Sequence, residues 1–249
     1  MLRHRVIPIV LLDGYSVVKT IRFGVRRNLG NPITVARIYN ARDVDELVLL
    51  DIDAAKEGRQ IDLATVSDIA RECFMPLTVG GGLRTCADIS AVLAHGADKV
   101  VINTAFLGNP SFLCEAAQTF GSQCIVVSLD VKQAESGGYE LYSHSGVPTD
   151  LSLERAIDLC TKYLAGEMIL NDVNRDGEMN GYDHTLIRLV AKRTNIPLIV
   201  VGGAASPDDC VAAIHSGASA AAAASMFHFT NTTPLNCRNA MRAAGIPVR

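Results

Sequence analysis

The chain lacks the compositional extremes that would assign its class at once. Its formal charge is −3 over 249 residues, so no cationic surface stands ready to coat nucleic acid. No apolar run reaches the ~18 residues that span a bilayer, and the N-terminal MLRHR is not followed by a signal-peptide core. No membrane or nucleic-acid partner is expected, and a cytoplasmic setting is. The seven cysteines (73, 86, 114, 124, 160, 210 and 237) never form a C-x-x-C pair, which fits reduced thiols better than disulfides or zinc. The six histidines are equally dispersed, so neither a metal nor a cofactor is expected. Disorder is excluded as well, because 49% of the residues are apolar and 20% charged, enough for a sizeable core.

What the sequence does have is alternation. Short, β-branched apolar runs at 5–12, 46–53, 76–81, 98–103, 123–130, 167–172, 197–203 and the Ala-rich 219–225 read as strands. Amphipathic patterns at 32–41, 60–73, 84–94, 110–119, 152–163, 183–194, 206–216 and 233–244 read as helices between them. Near-continuous apolar strands joined by helices imply a parallel sheet covered on its faces. Eight βα units in a chain of this length fit one closed (βα)8 TIM barrel over residues 1–249, with a doubly wound open sheet as the alternative. An internal repeat favours the barrel. ELVLLDIDAAKEG at 46 resembles EMILNDVNRDGEM at 167, Gly81 answers Gly202, and Asn103-Thr104 falls opposite Ala224-Ser225, each pair 121 positions apart. Two repeated half-barrels are the reading.

Two glycine clusters, VGGGLRT at 79–85 and VGGAASPDD at 201–209, follow the third and seventh strands. Glycines at a strand-to-helix junction let backbone N–H groups approach an anion, and the next helix N-terminus favours negative charge. Asn103-Thr104 and Ala224-Ser225 supply donors beside them. Two such cradles on one barrel mouth imply a long, doubly phosphorylated substrate; plain tight turns are the structural alternative. Among carboxylates at strand ends, Asp130 follows IVVSL at the rim, where partial burial suits a general acid/base. Asp51, Asp53, Asp172 and Asp183 sit at other strand ends, and Asp176-Gly177 reads as a turn or a substrate-hydroxyl acceptor. Lys19, Arg22, Arg26 and Arg27 lie in a basic stretch after the first strand that reads as a loop able to fold over an anionic substrate, with Lys19 nearest the strand. His144 and His228 are given no role. At the opposite face, Arg5, Glu46, Lys99 and Glu167 each begin a strand and would form a charged ring, either a salt-bridge network or a gate for something small.

These stretches resemble, over essentially the whole chain, the cyclase subunit of imidazole glycerol phosphate synthase: DELVLLDIDA, LTVGGG, GADKVVINTA, QTFGSQCIVVSLD, NRDGEMNGYD, VGGA and AASMFHF. The resemblance implies a half-barrel duplication, a lyase of histidine biosynthesis, and a glutaminase docked on the bottom face that sends ammonia through the barrel. It implies that Gly81, Gly82, Asn103 and Thr104 hold one phosphate, and Gly177, Gly203, Ala224 and Ser225 the other. It also implies an ammonia gate of Arg5, Glu46, Lys99 and Glu167, with Asp98 facing the glutaminase. Asp130 falls on one of the family's two catalytic aspartates. The other belongs at the end of the first strand, within VIPIVLLDGYSVVK at 6–19, where this chain has Val10 or Leu11 depending on the alignment. Asp13 is the substitute acid nearby, and Asn171 departs from the usual hydroxyl residue. An aliphatic side chain cannot transfer a proton, and losing a general acid/base costs roughly 10²–10⁴-fold. Divergent relatives of this kind resemble barrels that supply ammonia for amidation of a nucleotide-linked sugar in surface-polysaccharide synthesis. A cyclase with a replaced acid and a non-catalytic phosphate-binding scaffold are the alternatives.

Overall fold

The computed structural model describes residues 3–143 and 150–249. The chain opens with β1 (Arg5–Asp13), β2 (Ser16–Thr20), β3 (Arg26–Gly30), α1 (Pro32–Ala41), β4 (Leu47–Asp51), α2 (Leu63–Ala70), β5 (Leu77–Gly80) and α3 (Cys86–Ala94). It continues through β6 (Lys99–Ile102), the short α4 (Thr104–Gly108), α5 (Phe112–Phe120), β7 (Ile125–Gln133), β8 (Tyr139–Leu141) and α6 (Leu153–Lys162). The last third comprises β9 (Glu167–Asp172), α7 (His184–Ala191), β10 (Leu198–Val201), α8 (Pro207–His215), β11 (Ala220–Ala223), the short α9 (Ser225–Phe229) and α10 (Pro234–Ala243). Eight strands, β1, β4, β5, β6, β7, β9, β10 and β11, pair in that order and in parallel. β11 then pairs back onto β1, Arg5 against Ala220 through Pro8 against Ala223, and closes the barrel.

Alternation along each strand separates two apolar layers. Even-numbered residues of β1, such as Val6, Val10 and Leu12, join Leu47, Leu49, Val79 and Val100 in the large core beneath the helices. Odd-numbered Ile7 and Ile9 face the barrel axis with Val48, Val101, Val126, Ile169, Ile199, Ala220 and Ala222. β11 is a run of four buried alanines. Alanine has weak strand propensity, but pairing on both sides by β10 and β1 fixes it.

The repeat is visible in the local chemistry. Thr85 and Asp88 form a capping box on α3, and Ser206 and Asp209, 121 positions on, form one on α8. Asn103 (φ −128°, ψ −83°) and Ala224 (φ −132°, ψ −66°) share an unusual backbone turn that starts α4 and α9.

Two features differ from the sequence expectation. The basic stretch after β1 is not an open loop: β1 runs on through Asp13 and folds back antiparallel on β2, which pairs with β3. β7 likewise extends past Asp130 to Gln133 and pairs with β8.

Candidate active site

At the bottom of the barrel, inward-facing residues that begin β1, β6 and β9 and the residue just before β4 meet. Arg5 Nη1 donates to Glu46 at 2.5 Å and to Glu167 at 3.2 Å, and Arg5 Nη2 donates to Glu167 at 3.0 Å. Lys99 Nζ reaches both Glu46 oxygens, at 3.2 and 3.0 Å, and Glu167 Oε1 at 2.9 Å. Thr78 Oγ1 adds a 2.6 Å bond to Glu46, the most buried member, at 1% exposure. The four charges expected to form a ring therefore do form one, alternating in sign and closed by hydrogen bonds. Asp98 lies at the same end, exposed, and accepts from the Leu77 amide at 2.8 Å.

Above the ring lies the apolar axial layer, and above that a cleft at the mouth, formed where the eight strands end. Ile9 and Leu11 of β1 line it, while Val10 belongs to the outer core. The strand-1 position that faces the site is therefore Leu11. Asp13 is not among the lining residues; half-exposed, it accepts from Arg26 Nη1 at 2.8 Å, and the same guanidinium is paired with buried Asp53.

Asp130 does face the cleft, on the interior side of β7 beside Ser128. Asn103 Nδ2 donates to its Oδ2 at 3.0 Å and Asn171 Nδ2 to its Oδ1 at 3.1 Å. Burial pushes this carboxyl up to about 6; the two amide donors oppose the shift and the charge of Asp176 adds to it. An acid in that range can hold or release a proton near neutral pH.

Lys19 also lines the cleft, but it is 5% exposed and directed at Asp176 Oδ1, 3.3 Å away. Asp176 takes further bonds from Thr20 Oγ1 at 2.6 Å and the Phe23 amide at 3.3 Å, and its own carbonyl accepts from the Arg22 amide at 2.9 Å. This one residue fastens the β2–β3 hairpin to the segment after β9. The other hairpin cations are engaged too: Arg22 with Glu178, Arg26 with Asp13 and Asp53, Arg27 over the Phe229 ring.

The glycine turns have a packing reason as well as an open backbone. At Gly82 (φ +65°) a Cβ would stand 1.9 Å from the Arg59 carbonyl oxygen, and at Gly203 (φ +101°) 2.1 Å from that of Gly181. The two half-barrels thus repeat the same close approach of loop to loop. Gly81, Gly82, Asn103 and Thr104 line one side of the cleft, and Gly177, Gly203, Ala224 and Ser225 the other. Ser225 Oγ is buried without a hydrogen-bond partner among the described residues, as is Asn171 Oδ1.

The remaining carboxylates hold structure. Asp51 pairs with Arg59, Asp172 accepts from the amides of Asn174 and Arg175, and Asp183 caps α7. His228 is held low, to about 4, by burial and the charges of Lys19 and Arg42, and has Tyr39 Oη 3.4 Å from its Nε2. His144 lies outside the described residues. Sequence reasoning underrated Asp176, whose partners are more than 150 positions away, and passed over Thr78 and Ser128. Their period-two spacing from Gly80 and Asp130 was the available signal.

The sequence pattern of the histidine biosynthesis protein family matches residues 5–233. A protein of Campylobacter jejuni (subsp. jejuni serotype O:2), described as "Putative imidazole glycerol phosphate synthase subunit hisF2", is 43% identical over 249 residues, covering 100% of this chain and 99% of that one. A closed eight-stranded parallel barrel, half-barrels repeated at 121 positions, and these two matches agree. The chain belongs to the histidine biosynthesis protein family, as a paralogue of the imidazole glycerol phosphate synthase cyclase subunit.

Proposed function

We propose that this chain is the ammonia-using barrel subunit of a glutamine amidotransferase complex. A glutaminase docks on the bottom face, around exposed Asp98, and a small phosphorylated substrate occupies the mouth, one phosphate on each glycine turn. The observation that carries this reading is the order along the barrel axis: a closed ring of four charges, an apolar layer, then a cleft in which Asp51 and Asp176 are paired with Arg59 and Lys19 while Asp130 is held by two amides. Neutral ammonia crosses an apolar layer without the desolvation cost of an ion. The ring blocks it while closed, and Lys99, at 17% side-chain exposure the most accessible member, is the one that swings.

Asp130 is the acid/base group at the far end, and Leu11 faces the cleft where the family's other aspartate belongs. Asp13 could replace that acid only after leaving Arg26. The reading is therefore a barrel that conducts ammonia to a separate enzyme amidating a nucleotide-linked sugar for lipopolysaccharide or another surface polysaccharide. The second reading, a working cyclase of histidine biosynthesis, is favoured by Asp130, whose carboxyl at about 6 suits proton transfer. A scaffold that only binds phosphate compounds is the non-catalytic alternative.

The test is co-expression with a glutaminase encoded beside it. A one-to-one complex whose glutamine hydrolysis rises when phosphate compounds occupy the barrel supports the reading. No complex at micromolar concentrations, or hydrolysis indifferent to the barrel, removes it.

A further inference from the structure

The two glycine turns are built alike but charged differently, and the repeat supplies its own comparison. Among the described residues, three cations line the cleft: Lys19, Lys56 and Arg84. Lys19 is paired with Asp176. Lys56 and Arg84 both flank the first turn, and 121 positions on their places are taken by Gly177 and Ala205. The second half-barrel contributes no cation to the described cleft wall. Arg175, which packs beside Gly203, is directed at Asp172 and at the carbonyls of Asn180 and Gly181. The acidic residues of the following helices widen the difference: α3 has only Asp88 in its first turn, whereas α8 has Asp208 and Asp209.

Local structure holds the two cations at the first turn. The segment after β4 folds on itself, with the Glu57 amide donating to the Asp53 carbonyl at 2.9 Å and the Arg59 amide to the Ala54 carbonyl at 3.0 Å. It then docks on the glycine turn, where the Ile61 amide donates to the Gly81 carbonyl at 3.0 Å and Arg84 Nη2 to the Gly58 carbonyl at 2.8 Å. That bond engages one nitrogen of the Arg84 guanidinium. Its Nε and Nη1 have no hydrogen-bond partner among the described residues, and exposed Lys56 Nζ has none either. A monophosphate on the turn is met by backbone amides alone; a second phosphate joined to the first is what Lys56 and the open side of Arg84 can neutralise.

We infer that the first glycine turn, together with Lys56 and Arg84, is a diphosphate site, and that the second turn takes an anion of lower charge. This rests on the reading of the glycine turns as phosphate sites and names the ligand class, a diphosphate ester bound in one orientation. Lys56 is the residue that sets the specificity, because it is the cleft cation without a partner on the protein.

The test titrates the full chain, ¹⁵N-labelled and at pH 7.5 without divalent metal, with inorganic phosphate and with pyrophosphate at constant ionic strength. The backbone amides of Gly82 and Gly203 report the two turns separately. At Gly82 the midpoint should be at least about tenfold lower for pyrophosphate than for phosphate, the contribution of one added charge-assisted contact, and at Gly203 the ratio should stay below about threefold. Lys56→Gln should bring the Gly82 ratio below about threefold too, and because Lys56 is exposed the variant should fold as wild type does. Equal midpoints for the two anions at Gly82, the same preference at Gly203, or an unchanged ratio in Lys56→Gln would overturn the inference. Phosphate binding at both turns with no preference for pyrophosphate removes this inference and leaves the phosphate-turn reading standing, whereas binding at neither turn removes both.

Discussion

Removing members of the charged ring one at a time separates its stability role from its gating role. After Lys99→Ala, Glu46 still has Arg5 at 2.5 Å and Thr78 at 2.6 Å, and Glu167 still has the Arg5 guanidinium at 3.2 and 3.0 Å. Every carboxylate keeps a partner, so the loss is that of hydrogen bonds to a charged group, about 1–3 kcal/mol. Arg5→Ala removes three guanidinium bonds and leaves two mostly buried carboxylates on Lys99 alone, apart from the Thr78 hydroxyl. Breaking a buried network in that way costs about 3–5 kcal/mol. The pH dependence has a definite sign. Burial would raise the Glu167 carboxyl, but Arg5 and Lys99 outweigh it and hold it below its ordinary value of 4.5. A lowered folded-state value contributes stability that is fully present above 4.5 and is lost as pH falls through the folded value. Both variants should therefore lie furthest below wild type near neutral pH and approach it in acid. Denaturant unfolding at pH 7.5 and pH 4 measures this. The functional arm compares nitrogen sources: Lys99→Ala should alter delivery from glutamine and spare reactions fed with free ammonium. Equal losses with both sources would remove the gate, and Arg5→Ala no worse than Lys99→Ala would refute the energetic reasoning.

Asp130→Asn should abolish any cyclase turnover; unchanged turnover would mean the acid/base assignment is wrong. The same variant should be more stable than wild type at pH 7.5 by at most about 3 kcal/mol, the rise from 3.8 to about 6 converted at ~1.4 kcal/mol per unit. Its folded-state value near 6 lies above the ordinary 3.8, so wild type loses stability as pH rises through that window and the difference should vanish below about pH 4. Gly203→Ala forces a Cβ against the Gly181 carbonyl and should cost about 2 kcal/mol or more and weaken phosphate binding, whereas Gly138→Ala, with open space around it, should be nearly neutral. Thermal melts and phosphate titrations distinguish them. Asp176→Ala leaves Lys19 buried without its counter-charge and removes the side-chain acceptor of Phe23, so it should destabilise by about 3–5 kcal/mol and expose the Phe23 amide to hydrogen exchange, while the Arg22 amide keeps its main-chain acceptor. Retained protection of the Phe23 amide would show that the hairpin is held by other contacts.

The strands were legible because each buries a continuous apolar run on both faces, and even the alanine strand lay where the repeat required it. The ring was legible for a related reason: Arg5, Glu46, Lys99 and Glu167 share the inward parity of their strands, so position alone brings them together. Asp13-Gly14 signals the β1–β2 turn, but the basic residues of 19–27 look solvated in the sequence and hide the β2–β3 hairpin that follows. Arg22, Arg26 and Arg27 are exposed, as they look, but Lys19 is buried against Asp176, a partner distant in sequence that no local pattern reveals. Which of Val10 and Leu11 faces the axis is visible only from the β1 register. The grip of Asn103 and Asn171 on Asp130 is likewise invisible before the three are placed around one another.

The central claim is that this barrel keeps the ring and the phosphate turns while half of the acid/base pair is gone. The most direct test is a cyclase assay on the wild-type chain with excess ammonium salt, using the family's phosphoribulosyl formimino carboxamide ribonucleotide and following its loss of absorbance. No turnover, with phosphate compounds still bound, is the predicted result. Turnover at an appreciable rate would contradict it, showing that chemistry proceeds with Leu11 in the cleft and making Asp13 the next residue to substitute.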